Sequence, residues 1–223
     1  MTAGHRLAHD GRVVSPVVLR YPLLGRFRVR NSPARRVPSH GSHLMGTTYA
    51  IDLVPVDERG RSAPVSWRSL LATEPPDAFV GFGAVVLAPI SGIVLTLHDG
   101  EPDHSARRSQ GALLGYALGQ ASRIREGAGA IAGNHVVIVV QPDGPFVLIA
   151  HLRRGSVCVS PGDRIEVGQP VGQCGNSGNS TQPHVHLQAT DSTEWAVARG
   201  LPIAFSTDRG LELPGESQVV VVP

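Results

Sequence analysis

The sequence predicts a mainly β fold, and three observations lead there. Glycine (26) and proline (18) are abundant among the 223 residues, while aromatic residues make up only 4%; that balance favours turns and short strands over helix packing. The apolar residues fall in short runs bounded by Gly, Pro, Asn and Asp, which is the pattern of strands. Only one long stretch carries apolar residues at helical spacing.

Taken in order, residues 1–12 are polar and expected to be loose. Val13–Leu19 and Gly25–Val29 read as strands. Residues 31–48 form a Ser/Pro/Gly/His loop, and Tyr49–Val54 reads as a strand that places Asp52 in a sheet. Residues 57–80 read as a surface excursion with a short helix near Trp67–Leu71. Phe82–Leu97 is strand-rich and broken in two by the turn Pro89-Ile90-Ser91-Gly92. Within Gly111–Glu126, Leu114, Ala117, Leu118, Ala121 and Ile124 recur at helical spacing, so residues 99–132 read as a helical insertion between strands. Asn134–Gln141, Phe146–Leu152, Arg164–Val167, Pro170–Gly175 and His184–Ala189 follow as strands. The expected division is an N-terminal segment at 1–36 with two strands, a main domain at 37–190, and an irregular tail at 191–223 with a strand at Gln218–Val222.

Composition excludes several classes. The formal net charge is only +2, and no basic-plus-aromatic constellation is present, so nucleic-acid binding is not expected. The arginines around Arg26, Arg28, Arg30, Arg35 and Arg36 read as a solvated strand edge. No run approaches the ~18 apolar residues of a membrane span. Met1–Asp10 lacks the apolar core of a secretory signal. All 20 basic residues are arginine, which suggests a GC-rich bacterial coding genome. Cys158 and Cys174 lie outside any Cys-x-x-Cys pair and are expected to be buried free thiols.

The chemistry concentrates in Gly175-Asn176-Ser177-Gly178-Asn179-Ser180-Thr181-Gln182-Pro183-His184-Val185-His186-Leu187. Two histidines two apart in a strand point to one side of a sheet. The Gly/Asn/Ser run before them reads as a loop with special backbone angles. Partners lie elsewhere: His43 and Asp52 upstream, and His151 at the end of Phe146–Leu152. Strand alternation assigns Val147, Ile149 and His151 to one face, which would let His151 share a groove with His184 and His186.

These motifs, in this order, resemble the LytM/lysostaphin-type zinc metallopeptidases, the M23 family, over residues 38–190. The spacing from His43 to Asp52 exceeds the family's common His-x-x-x-Asp, and Tyr49-Ala50-Ile51-Asp52 looks like a longer-loop form. His40, in the same loop, rivals His43 as first ligand, with His43 preferred. The resemblance implies one domain built on an antiparallel β-sheet groove, related to the barrel-sandwich hybrid. It implies one Zn²⁺ per chain held by His43, Asp52 and His186, with His151 and His184 as catalytic residues. It implies an endopeptidase acting on peptidoglycan stem peptides or cross-bridges at the cell envelope. The alternative is a non-catalytic LytM-like binding or regulatory module. The segment Val159–Gly172 also resembles the hairpin of biotinyl and lipoyl carriers, but a carrier needs an attachment lysine and this chain has none. His135, on an expected strand beside the groove, reads as structural, with substrate contact as its alternative role.

Overall fold

The computed structural model describes residues 15–64, 73–106 and 131–223. The described strands are β1 (Val17–Leu19), β2 (Gly25–Arg30), β3 (Ile51–Pro55), β4 (Val85–Leu87), β5 (Gly92–His98), β6 (Asn134–Val139) and β7 (Phe146–Leu152), followed by β8 (Arg164–Ile165), β9 (Pro170–Gln173), β10 (Val185–Thr190), β11 (Gly200–Leu201), β12 (Ile203–Thr207), β13 (Gly210–Glu212) and β14 (Val219–Val222). Nine of them form one sheet in the order β14-β2-β3-β10-β7-β6-β5-β8, with β11 beside β10. Every pairing within it is antiparallel. The sheet stays open, because β14 and β8 end the described path without pairing to each other. Two small sheets flank it: β1-β12-β13, in which β1 and β12 run parallel, and the pair β4-β9.

Period-two alternation divides the central strands into two faces. Val29 of β2, Ile51 and Leu53 of β3, Val185 and Leu187 of β10, Val147 and Ile149 of β7, and Val136 and Ile138 of β6 all enter one core. Burial of each such side chain contributes about 1.5–3 kcal/mol. The opposite face of the same strands carries Asp52, His186, Gln188, Leu148, Ala150 and Val137, and these too are buried. Strands covered on both faces have little freedom to slip, since a one-residue shift would exchange the two sets.

The strand expectations for the middle of the chain agree with these elements to within one or two residues at most ends. The tail differs. Residues 191–223 contain β11, β12, β13 and β14, and β14 pairs with β2 in the main sheet. β14 is the strand expected at Gln218–Val222, whereas β11, β12 and β13, of two to five residues, give too little periodicity to read. The helices expected near Trp67–Leu71 and at Gly111–Glu126 lie outside the described residues. Both cysteines are free, but Cys158 is exposed and only Cys174 is buried. Burial, with the Asp103 charge adding to it, pushes the Cys174 thiol up.

Tyr21 ties the β1-β12-β13 sheet to the large one. Its ring stacks on Phe205 of β12 at 4.2 Å and tilts against Phe27 of β2 at 5.2 Å. Its hydroxyl donates to Glu212 Oε1 at 2.7 Å. Burial, then the Glu212 hydrogen bond and charge, raise the phenol above its ordinary value of 10.0. A raised folded-state pKa contributes stability that is complete below the unfolded value and is lost as pH rises beyond it. Urea midpoints measured across alkaline pH should therefore fall above pH 10.0. Tyr21→Phe should lose about 1 kcal/mol near neutrality and show a shallower alkaline decline.

Candidate active site

One row of side chains crosses four strands. In the antiparallel register Asp52 of β3 lies opposite His186 of β10, His186 lies opposite Ala150 of β7, and Ala150 lies opposite His135 of β6. His184 precedes His186 by two and shares its side of the sheet. The row forms the floor of a groove of about 390 Å³, which Leu148, Trp195, Ile131 and Ala132 continue as an apolar wall. Ile131 and Ala132 are the last residues of the expected insertion at 99–132. Trp195 comes from the tail and packs with Val137, Leu148 and Ala150.

His151 reaches the groove by a different route from the one alternation suggests. Val147 and Ile149 point into the main core, so strict alternation would bury His151 there as well. Instead the β6–β7 register jumps: Asn134 pairs with Leu152 and His135 with Ala150, leaving His151 unpaired between them. Its φ is +63°. This is a β-bulge with a non-glycine residue in left-handed conformation, a device that re-aims one side chain. Ala150 and His151 thus both serve the groove, and Leu152 returns to the core. Holding a non-glycine there costs about 1–3 kcal/mol, which surrounding contacts must offset. They do so through the Gly175–Ser180 loop. Gly175 N donates to His151 O at 3.0 Å, and the His151 Nδ1–H donates to Ser177 O at 2.9 Å. Ser177 Oγ donates to Leu152 O at 2.8 Å and accepts from Asn134 N at 3.0 Å. Asn176 is held by Asp103 and His104, so this loop braces the bulge.

The structure brings Asp52, His151, His184 and His186 together, and it adds His40 rather than His43. His40 Nε2 lies 3.2 Å from both Asp52 oxygens, and its ring meets His186 edge-on at 4.9 Å. His43 is exposed, bonds Thr48 Oγ1 at 3.1 Å, and does not line the groove. The structure therefore places the rival, His40, and not His43, beside Asp52 and His186. The cause is local: Met45 at φ +56° and Gly46 at φ +72° break the 3-10 stretch Leu44–Tyr49 into two turns. His43 caps the outer side of that stretch, while the Ser39 backbone N–H, bonded to Thr48 O, holds His40 on the inner side.

Hydrogen-bond partners assign the proton on each ring. Ser39 Oγ donates to Thr47 O, so it accepts from His40 Nδ1–H at 3.0 Å and leaves the His40 Nε2 lone pair facing Asp52. Gln188 Nε2 donates to Met45 O, so its Oε1 accepts from His186 Nε2–H at 2.9 Å. That leaves His186 Nδ1 facing Asp52 Oδ1 at 2.9 Å. His184 gives its Nδ1–H to Gln182 O at 2.8 Å, and its Nε2 stands 3.6 Å from Asp52 Oδ1. Acceptor faces acceptor across a buried space, the arrangement that calls for a cation. His40, Asp52 and His186 offer ligand atoms all within 4.8 Å of one another, a nitrogen and carboxylate donor set suited to zinc.

The charges follow. When the imidazoles carry protons in place of a cation, burial works against ionised Asp52, but the charges of His40 and His184 and the hydrogen bonds then donated by His186 and His40 hold it well below the ordinary carboxylate range. His186 is raised, because the Asp52 hydrogen bond and charge, together with Gln188, outweigh burial. His151 is lowered well below its ordinary value by burial, then by His184 and His186. His184 is also lowered, chiefly by burial. Both rings are therefore neutral at neutral pH and offer unprotonated Nε2 atoms. His135 gives Nδ1–H to Gly133 O at 2.7 Å and is lowered mainly by burial.

The sequence profile of peptidase family M23 matches residues 77–198, more than half of the chain. The chain belongs to peptidase family M23. The matched span of this M23 peptidase contains His151, His184 and His186. His40 and Asp52 precede it and join the site through β3. Likeness to solved structures is distant. The catalytic domain of the prophage-encoded M23 protein EnpA from Enterococcus faecalis, in a mutant form, has 18% identity and TM-score 0.38, covering 69% of this chain and 73% of its own. The catalytic domain of the antimicrobial peptidase lysostaphin from Staphylococcus simulans has 17% identity and TM-score 0.39, covering 68% and 74%. The deep-sea M23 metalloprotease pseudoalterin has 10% identity and TM-score 0.44, covering 92% and 95%. No curated protein matches the chain.

Sequence reading missed three neighbours of the cluster in this M23 peptidase: Asn31, Ser39 and Gln188. Gln188 stands two after His186 in a strand, so period two could have found it. Ser39 and Asn31 carry no such local signal; Asn31 reaches Asp52 only because β2 pairs with β3.

The brace behind His151 also rests on Gly133, at φ +62°. A Cβ there would lie 2.6 Å from Ser177 Oγ and from Gly178 N. Gly133→Ala should lower stability by about 1–3 kcal/mol, measured by chemical denaturation of the metal-free protein. Unchanged stability would remove this brace from the account.

Proposed function

We propose that this M23 peptidase is a zinc-dependent endopeptidase cutting peptide bonds in peptidoglycan stem peptides or cross-bridges. The observation that carries the reading is the convergence of the His40 Nε2 and His186 Nδ1 lone pairs on Asp52, beside two neutral imidazoles. His40, Asp52 and His186 hold one Zn²⁺ per chain. When bound, zinc supplies a Lewis acid that activates water and polarises the scissile carbonyl. His151 and His184 have rings 4.7 Å apart and Nε2 atoms free to accept the proton that water loses in attack. Once charged, either ring donates to the oxyanion or to the departing amine. Asp52 stays ionised throughout. The groove supports an uncharged extended peptide as substrate: among its described lining residues Asp52 is the one carboxylate and none is arginine. Family resemblance supports peptidoglycan as the source of that peptide.

Metal analysis after dialysis tests the ligand set. The intact protein should carry one zinc per chain. His40→Ala, Asp52→Ala and His186→Ala should each lose most of it, and His43→Ala should keep it. Loss in His43→Ala with retention in His40→Ala would reverse the assignment.

Turnover of a peptidoglycan fragment tests the other two histidines. His151→Ala and His184→Ala should keep the fold and the zinc, yet fall in rate by about 10²–10⁴-fold. Full turnover in both variants would remove them from the chemistry. A zinc-loaded intact protein that cuts no peptidoglycan fragment would favour the non-catalytic binding module.

A further inference from the structure

We propose that Asn31, Ser39 and Gln188 are positioning residues that select which atom of each zinc ligand faces the metal. The inference rests on the zinc reading above. Each ligand has two atoms able to bind a cation, two ring nitrogens or two carboxylate oxygens. In each case a neutral neighbour engages one of the two. Ser39 Oγ takes the proton side of His40 at Nδ1, leaving Nε2. Gln188 Oε1 takes the proton side of His186 at Nε2, leaving Nδ1. Asn31 Nδ2 donates to Asp52 Oδ2 at 2.7 Å, so Oδ1 is the freer oxygen and the one nearest His186 and His184.

The three neighbours are themselves fixed. Ser39 and Gln188 are anchored by the carbonyls of Thr47 and Met45, both in the Leu44–Tyr49 stretch. The hinge of that stretch, Gly46, is packed against Thr190 of β10. Asn31 stands at φ +51°, a conformation Asn tolerates better than most residues, and this sets its amide beneath Asp52. Because all three neighbours are uncharged, they orient the donors without altering the net charge of the site. Outer partners of this kind typically govern metal affinity by about 10–100-fold.

The test uses the full chain loaded with cobalt(II), whose visible absorption reports coordination number, together with chelator-competition affinities for cobalt and zinc. Asn31→Gly removes the amide while suiting the left-handed backbone. Gln188→Met removes the acceptor at similar length, and Gln188→Glu restores an acceptor for His186 Nε2–H. Asn31→Gly and Gln188→Met should each weaken metal binding by about 10–100-fold, and Gln188→Glu should recover most of the loss. Asn31→Gly should also reduce the visible cobalt absorption, as the freed Oδ2 enters the coordination sphere. A spectrum and affinity equal to the parent's in Asn31→Gly and Gln188→Met, with only metal-free stability lowered, would overturn the proposal and leave the zinc site intact. Failure of Gln188→Glu to recover what Gln188→Met loses would overturn the role of Gln188. Absence of any cobalt or zinc binding in the parent protein would overturn the zinc reading and this inference with it.

Discussion

The site depends on the pairing of β3 with β10 in one particular register. Asp52 and His186 are separated by 134 residues in the chain and meet at 2.9 Å. No flexible reach achieves this; they are opposite residues on neighbouring antiparallel strands. The register is held from the other face, where Ile51, Leu53, Val185 and Leu187 are buried in the main core. Slippage by one residue would drive a carboxylate into that core and turn the aliphatics to the groove face. The hydrophobic face thus protects an electrostatic arrangement that does not stabilise itself: two imidazole lone pairs and a carboxylate directed at one another are costly when buried without a cation.

Much of this was legible in the sequence, for identifiable reasons. His184 and His186 sit in a strand long enough to show its period, and Asp52 lies in an apolar run that could only be a strand. His151 was placed in the groove correctly but by an argument that does not hold, since alternation alone would have sent it to the core with Ile149. The bulge that moves it depends on the Gly175–Ser180 loop, and no pattern within β7 announces it. The choice between His40 and His43 turned on two consecutive left-handed residues, Met45 and Gly46. Gly46 is an ordinary carrier of that conformation, whereas Met45 is not, and the sequence offers no warning of it. In the tail β14 was read as a strand, while β11, β12 and β13 were missed because each is too short to show a period.

The five groups of the cluster divide by how their protons are held. His40 and His186 give theirs to Ser39 and Gln188 and turn the bare nitrogen towards Asp52. His151 and His184 give theirs to main-chain carbonyls, Ser177 O and Gln182 O. The second pair is thereby tied to the Gly/Asn/Ser loop and the turn that follows it, while the first pair is tied to the loop before β3. Two separate loops orient two pairs of rings over a single sheet. Each pair has its own backbone anchor, so a disturbance in one loop need not misorient the other.

The bulge in β7 has a bearing on how this chain tolerates change. Ala150 and His151 occupy the same side of the sheet only because the strand contains one residue more than its partner β6 requires at that point. The position of His151 is therefore encoded as a count as well as an identity. Substitutions along β7 leave that count intact, and many of them preserve the path of the backbone. Deleting a single residue between Phe146 and His151 would restore regular pairing, bring His151 opposite His135, and remove the left-handed backbone that gives its ring to Ser177 O, although the rest of the cluster would still be present. Over evolutionary time this stretch should accept exchanges of apolar side chains and reject insertions and deletions, a pattern more often associated with a buried structural strand than with the rim of a polar groove.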